Sequence, residues 1–145
     1  TELDTIPMRE IMHRISKVIM RIQPSIIYVN NRSDIHTDHQ IAFKAVIGCT
    51  KNFRYPFIRR ILMYETLSET EFAPPVPDNA FQPNVFVDVS KFLEKKCEIM
   101  KYYPSEILDN PYPRSIESLE FLARHRGSRI GVTYAEAFML IFEAC

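Results

Sequence analysis

Residues 8–51 constrain this chain more than any other stretch. Apolar side chains at Met8, Ile11, Met12, Ile15, Val18, Ile19 and Ile22 recur with the period of an amphipathic helix, and Arg9, Arg14, Lys17 and Arg21 take the opposite face. Thr5 ahead of Pro7 suits a helix start, and Pro24 stops the pattern. "SIIYVN", residues 25–30, is a short apolar run with branched side chains and predicts a buried strand. After a polar stretch, "HQIAFKAVIGCTK" returns to a helical pattern. Helix, strand, loop, helix is one turn of an α/β fold. Ligands in such folds sit beyond the carboxyl ends of the strands, so residues 30–39 fall where a site is expected.

The rest of the chain continues the alternation. "RRILMYETL" (residues 59–67) predicts a strand, and "SETEFAPPVPDNAFQPN" a long loop, a setting common to lids and binding loops and equally to exposed connectors. "VFVDVS" predicts another strand whose Ser90 can cap the helix in "KFLEKKCEIMKYY", with Phe92, Leu93, Ile99, Met100 and Tyr103 as its apolar stripe. Ser115 can cap a further helix through about Arg124, with Gly127 as a left-handed stop. "YAEAFMLIFEA" fits helix or strand on periodicity, and an edge strand is the expectation.

A chain of 145 residues fits one domain, taken here as residues 1–145. Eighteen basic residues balance eighteen acidic ones, which leaves no electrostatic footprint for nucleic acid or an anionic membrane. No apolar run is long enough to span a bilayer. Cys49, Cys97 and Cys145 are an odd number without a Cys-x-x-Cys, which argues against a disulfide framework and a zinc ribbon and for a reducing, cytoplasmic setting. Neither kind of Gly-rich phosphate loop occurs.

"SDIHTDHQIAF" carries His36 and His39 three residues apart, interleaved with Asp34 and Asp38. Thr37 and Gln40 match a capping box, which puts His36 just outside a helix and His39 in its first turn. The positive helix end disfavours a protonated imidazole, and the neutral ring is the form that binds metal. Asp34 and Asp38 can accept from ring N–H groups and fix tautomers. The competing reading is an ordinary polar helix start, because a bare His-x-x-His is a weak motif and a metal site needs three or four ligands. His13 on the polar helix face and His125 at a helix end are no obvious third. In "RHRGSR", residues 124–129, a phosphate or nucleotide-sugar site competes with a helix C-terminus bearing complementary cations and a Gly cap; Glu136 is a further partner for these arginines.

"HTDHQIAF" resembles the second metal motif of the LmbE-like, or PIG-L, family of zinc-dependent N-acetylglucosaminyl deacetylases. "RILMYETLSETEF", "FQPNVFVDVSKFLEKKCEIMKYYPSE" and "SIESLEFLARHRGSRIGVTYAEAF" resemble the family's later segments in the same order, so the likeness covers nearly the whole chain. It implies a Rossmann-like three-layer α/β domain with a mostly parallel sheet and helices on both faces. It implies removal of an acetyl group from an N-acetylated amino sugar or glycoconjugate, with zinc or another divalent metal. By the same resemblance His39 is a metal ligand, and His36 serves oxyanion stabilisation or proton transfer with Asp38 in support. Asp34 and Arg126 are the remaining candidates for substrate contact. The family's first motif, Ala-His-Pro-Asp-Asp, has no counterpart here. The expectation is therefore a C-terminal portion whose further metal ligands and general base come from outside these residues. A missing N-terminal half or a second copy of the chain would complete it. A sugar- or partner-binding module that lost the zinc centre is the alternative.

Overall fold

A computed structural model describes residues 2–145. It is a mixed α/β structure with four helices and four strands: α1 (Met8–Ile22), β1 (Ile26–Asn30), α2 (Thr37–Gly48), β2 (Arg60–Tyr64), β3 (Val85–Asp88), α3 (Leu93–Met100), α4 (Ile116–Ser128) and β4 (Ala135–Glu143). The strands are ordered β1-β2-β4-β3. Parallel pairing is found for β1 and β2, in the register Ile26 to Arg60 through Asn30 to Tyr64. β3 and β4 pair antiparallel, Val85 opposite Phe138 and Asp88 opposite Ala135. The last segment is thus a strand, as expected, but an inner one rather than an edge. The chain divides into two compact units, one running up to Gln82 and including Met139–Cys145, the other Pro83–Phe138.

The first unit is built by α1. Ile11 and Ile19 are buried, and Met12 and Ile15 pack with Val29, Cys49, Ile58, Ile61 and Met63 into its core. Pro7, not Thr5, takes the N-cap position; the Thr5 hydroxyl donates to the Glu2 carbonyl in a short 3-10 turn. Gln23 ends the helix in the left-handed region, its N–H returning to the Ile19 carbonyl. β1 is less buried than its composition predicts. Only Val29 and Asn30 are enclosed, and Ile26 is 41% exposed, in keeping with the place of β1 at the end of the strand order. β2 buries Ile61, Leu62 and Met63 in succession, the mark of a strand covered on both faces.

In the second unit Leu93, Cys97 and Ala123 form a small core with Ile116 and Tyr134. Ser115 caps α4 as expected: its hydroxyl, fully buried, accepts from the Ser118 N–H at 3.1 Å. Ser115→Ala should destabilise the protein by about 1 kcal/mol, read as a lower urea midpoint at unchanged slope. Ser90 does not cap α3. It lies two residues ahead of the N-cap residue Phe92, and its hydroxyl instead exchanges hydrogen bonds with the Tyr134 backbone. Gly127 is not a left-handed stop either. It lies inside α4, and Gly131 carries the positive φ of 74°. Glu136 pairs with Lys96 at 2.7 Å rather than with an arginine, since alternation along β4 puts it opposite Val87, beside α3.

Candidate functional site

The carboxyl ends of β1 and β2 converge on one buried carboxylate. Asp34 is 0% exposed, and each of its oxygens is engaged. Oδ2 lies 2.8 Å from His39 Nδ1, and Oδ1 accepts from the Thr70 hydroxyl at 2.7 Å. Thr70 Oγ1 in turn accepts from the Thr66 N–H at 2.8 Å, which commits its own proton to Asp34. The backbone holds the same geometry. The Asp34 carbonyl accepts from Gln40 Nε2, the His39 carbonyl accepts from Asn30 Nδ2 at 2.7 Å, and the Ile35 N–H donates to Glu69. The loop after β2 is thereby tied to the start of α2. Burial, then the negative charge of Asp34, pushes the Tyr64 phenol above its ordinary value.

These contacts assign the two imidazoles opposite tautomers. His39 gives its Nδ1 proton to a carboxylate, so in the neutral ring Nε2 keeps its lone pair. His36, not Thr37, is the N-cap of α2: its Nδ1 accepts from the Asp38 N–H at 3.1 Å. An accepting Nδ1 leaves the His36 proton on Nε2. The rings stack with centroids 5.3 Å apart and planes 25° from parallel. His36 is exposed and the His39 side chain is 31% exposed. One nitrogen able to coordinate and one N–H able to donate therefore belong to neighbouring, accessible rings.

The other expected residues fall elsewhere. Asp34, a candidate for substrate contact, is enclosed and orients His39 instead. Asp38 is buried, and its Oδ1 accepts from the Leu3 N–H at 2.9 Å. Its carboxylate ties the turn ahead of α1 to the first turn of α2, while its N–H serves His36. Arg126 lies in the second unit, half-buried in the last turn of α4. Thr70 and Thr66 were not legible as site residues; they stand 36 and 32 positions beyond Asp34, Thr70 in a segment without periodicity and Thr66 near the end of a predicted strand. Among the described residues no group of three His, Cys, Asp or Glu side chains is placed to hold a metal ion. His39, with its carboxylate-backed imidazole, fits one ligand of such a centre. Two buried polar atoms near the same strand ends, Asn31 Nδ2 and Thr66 Oγ1, have no hydrogen-bond partner among the described residues.

No family model matches the chain, and no curated protein matches its sequence. Solved structures do match in fold. The N,N'-diacetylchitobiose deacetylase of Pyrococcus horikoshii aligns with a TM-score of 0.68 at 20% identity, over 94% of this chain and 53% of that one. The zinc-inhibited form of teicoplanin deacetylase Orf2 aligns at 0.66 and 18%, over 94% and 52%. GalB, the 4-carboxy-2-hydroxymuconate hydratase of Pseudomonas putida KT2440, aligns at 0.65 and 17%, over 94% and 60%. The chain thus has a deacetylase-like fold and spans little more than half the length of these proteins. The hydratase shows that the fold also carries another reaction, so the chemistry has to be argued from the site.

Proposed function

We propose that this chain is the His39-bearing portion of a metal-dependent hydrolase that removes the acetyl group from an N-acetylated amino sugar or glycoconjugate. The observation that carries this reading is the pair of stacked imidazoles in opposite tautomers. Support comes from the fold shared with two deacetylases. In this reading Asp34 keeps the His39 proton on Nδ1 and aims the Nε2 lone pair at zinc or another divalent ion. A metal bound there would polarise the acetamide carbonyl and activate water. His36 holds its proton on Nε2, where it can donate to the oxygen that gains charge as the carbonyl is attacked. Asp38 supports His36 through its backbone N–H.

The other metal ligands and the general base come from a companion: the rest of the same protein or a second copy of the chain. The unpartnered Asn31 and Thr66 atoms support this, since a buried polar group without a partner costs about 1–3 kcal/mol. So does β1, which lies at the end of the strand order with Ile26 exposed. The companion would extend the parallel β1–β2 pair into a Rossmann-like three-layer domain. The free cysteines suit a reducing, cytoplasmic setting, with burial pushing the Cys49 and Cys97 thiols up. No helix among the described residues is long and apolar enough to cross a membrane.

The test is zinc content and acetate release from N-acetylglucosamine conjugates by the chain joined to its companion. His36→Ala should retain zinc and lose about 10²–10³-fold in kcat, the scale of one oxyanion donor. A joined protein that neither binds zinc nor releases acetate would remove the reading. That result would favour the alternative of a non-catalytic sugar- or partner-binding module, for which the lack of a three-donor group among the described residues speaks.

A further inference from the structure

The second unit contains a cavity of its own, about 490 Å³ in volume, lined by Pro83, Phe86, His125, Arg126, Ser128 and Arg129. Two arginines line it and no acidic residue does. The simplest explanation for cations at this place is the C-terminus of α4, whose last carbonyls need partners. Three of the last four are already served. The His125 carbonyl accepts from the Ser128 hydroxyl at 2.7 Å, that of Arg126 from the Arg129 N–H, and that of Gly127 from the N–H groups of Ile130 and Val132. The neighbouring Arg124 is occupied differently, with its guanidinium 5.8 Å from the Tyr134 ring centroid. Glu136, the nearby acid of β4, belongs to Lys96. Among the described residues Arg129 has no carboxylate partner. The helix end therefore does not account for Arg129 at this cavity.

We propose that this cavity binds a phosphate-bearing small molecule. The fork of Arg129, with Arg126 beside it, suits the paired oxygens of a phosphate group, which a planar guanidinium can meet with two parallel N–H donors. His125 also lines the cavity and carries a ring N–H. Phe86 and Pro83 supply an apolar wall for the part of the ligand that carries the phosphate, in keeping with small-molecule sites that combine apolar lining with a few polar anchors. Nothing in this inference depends on the histidines of the first unit or on any metal.

Calorimetric titration of the chain tests it, with inorganic pyrophosphate, glucosamine 6-phosphate and acetate as soluble probes and vesicles of phosphatidylcholine with phosphatidic acid as the lipid source. Saturable, salt-sensitive binding of the two phosphate compounds is expected, with acetate at least about tenfold weaker. Arg129→Ala should weaken pyrophosphate about tenfold, and Arg129→Glu should abolish binding. Lys95→Ala, an exposed cation of the same unit paired with Glu98, should leave it unchanged. Arg129 is exposed, so its variants are expected to keep the unfolding midpoint of the parent. Equal binding by the parent and Arg129→Glu would overturn the proposal. So would acetate binding as well as phosphate, binding to vesicles alone, or no saturable binding at all.

Discussion

His39→Ala is expected to lower the zinc affinity of the chain joined to its companion by more than about a hundredfold, beyond the 10–100-fold cost usual for changes in the groups that support a ligand. The lost atom is the Nε2 that the Asp34 contact leaves with its lone pair. The supporting groups provide the graded comparison. Asp34→Asn can keep a carbonyl oxygen on His39 and turn its amide toward Thr70, so it removes charge while retaining geometry; about tenfold weaker binding is expected. Asp34→Ala removes the buried acceptor of the Nδ1 proton and with it the group that fixes the ring, and the loss should approach a hundredfold. Thr70→Val removes one hydrogen bond to Asp34 and should fall near the Asn variant. Competition against a chromogenic chelator measures all four without reference to turnover. Equal affinity of His39→Ala and the parent would separate this histidine from the metal.

Gly127→Ala should be the most destabilising of the glycine substitutions, by about 2–3 kcal/mol. Two effects oppose each other. Alanine in a helix interior is favoured over glycine by about 1 kcal/mol. A Cβ at Gly127, however, would lie 2.6 Å from the Val132 carbonyl oxygen and 2.9 Å from both the Thr133 carbonyl and the Tyr134 N–H. All three are backbone atoms, so no side chain can swing aside, and α4 must part from the segment leading into β4. The clash outweighs the propensity gain. Gly131→Ala meets nothing within 4 Å and bears only the cost of its φ of 74°, about 1–2 kcal/mol. At Gly48 the nearest atom is the flexible end of Met12, which can move. Urea unfolding of the three variants gives the ranking, and a Gly127→Ala protein as stable as the parent would contradict the close approach.

Local chemistry was enough to read much of this molecule. The apolar period of residues 8–22, the short apolar runs before Asn30 and Tyr64, and the serine ahead of Ile116 each act within a turn or two of chain, so α1, β1, β2 and the cap of α4 could be read directly. The spacing of His36 and His39 was legible for the same reason, since residues three apart on one helix start are neighbours whatever the rest of the fold does.

The misreadings share a different cause. Ser90 has the chemistry of a cap but lies ahead of the true N-cap residue, and tertiary structure sets its hydroxyl against Tyr134, 44 residues on. Gly127 looks like a stop signal, and what demands a glycine there is the backbone of a later segment. Nothing local tells an inner from an outer strand, so β4 was expected at an edge and β1 in the interior.

By itself, then, the sequence determined the order and kind of most elements and the placing of two histidines at a strand-to-helix junction, because periodicity, capping and helix electrostatics are short-range. Only the tertiary structure decided what those histidines can do. It brought Thr70 across 36 residues to hold Asp34, and Asp34 to hold His39, closing a buried hydrogen-bonded chain between segments that no local rule connects.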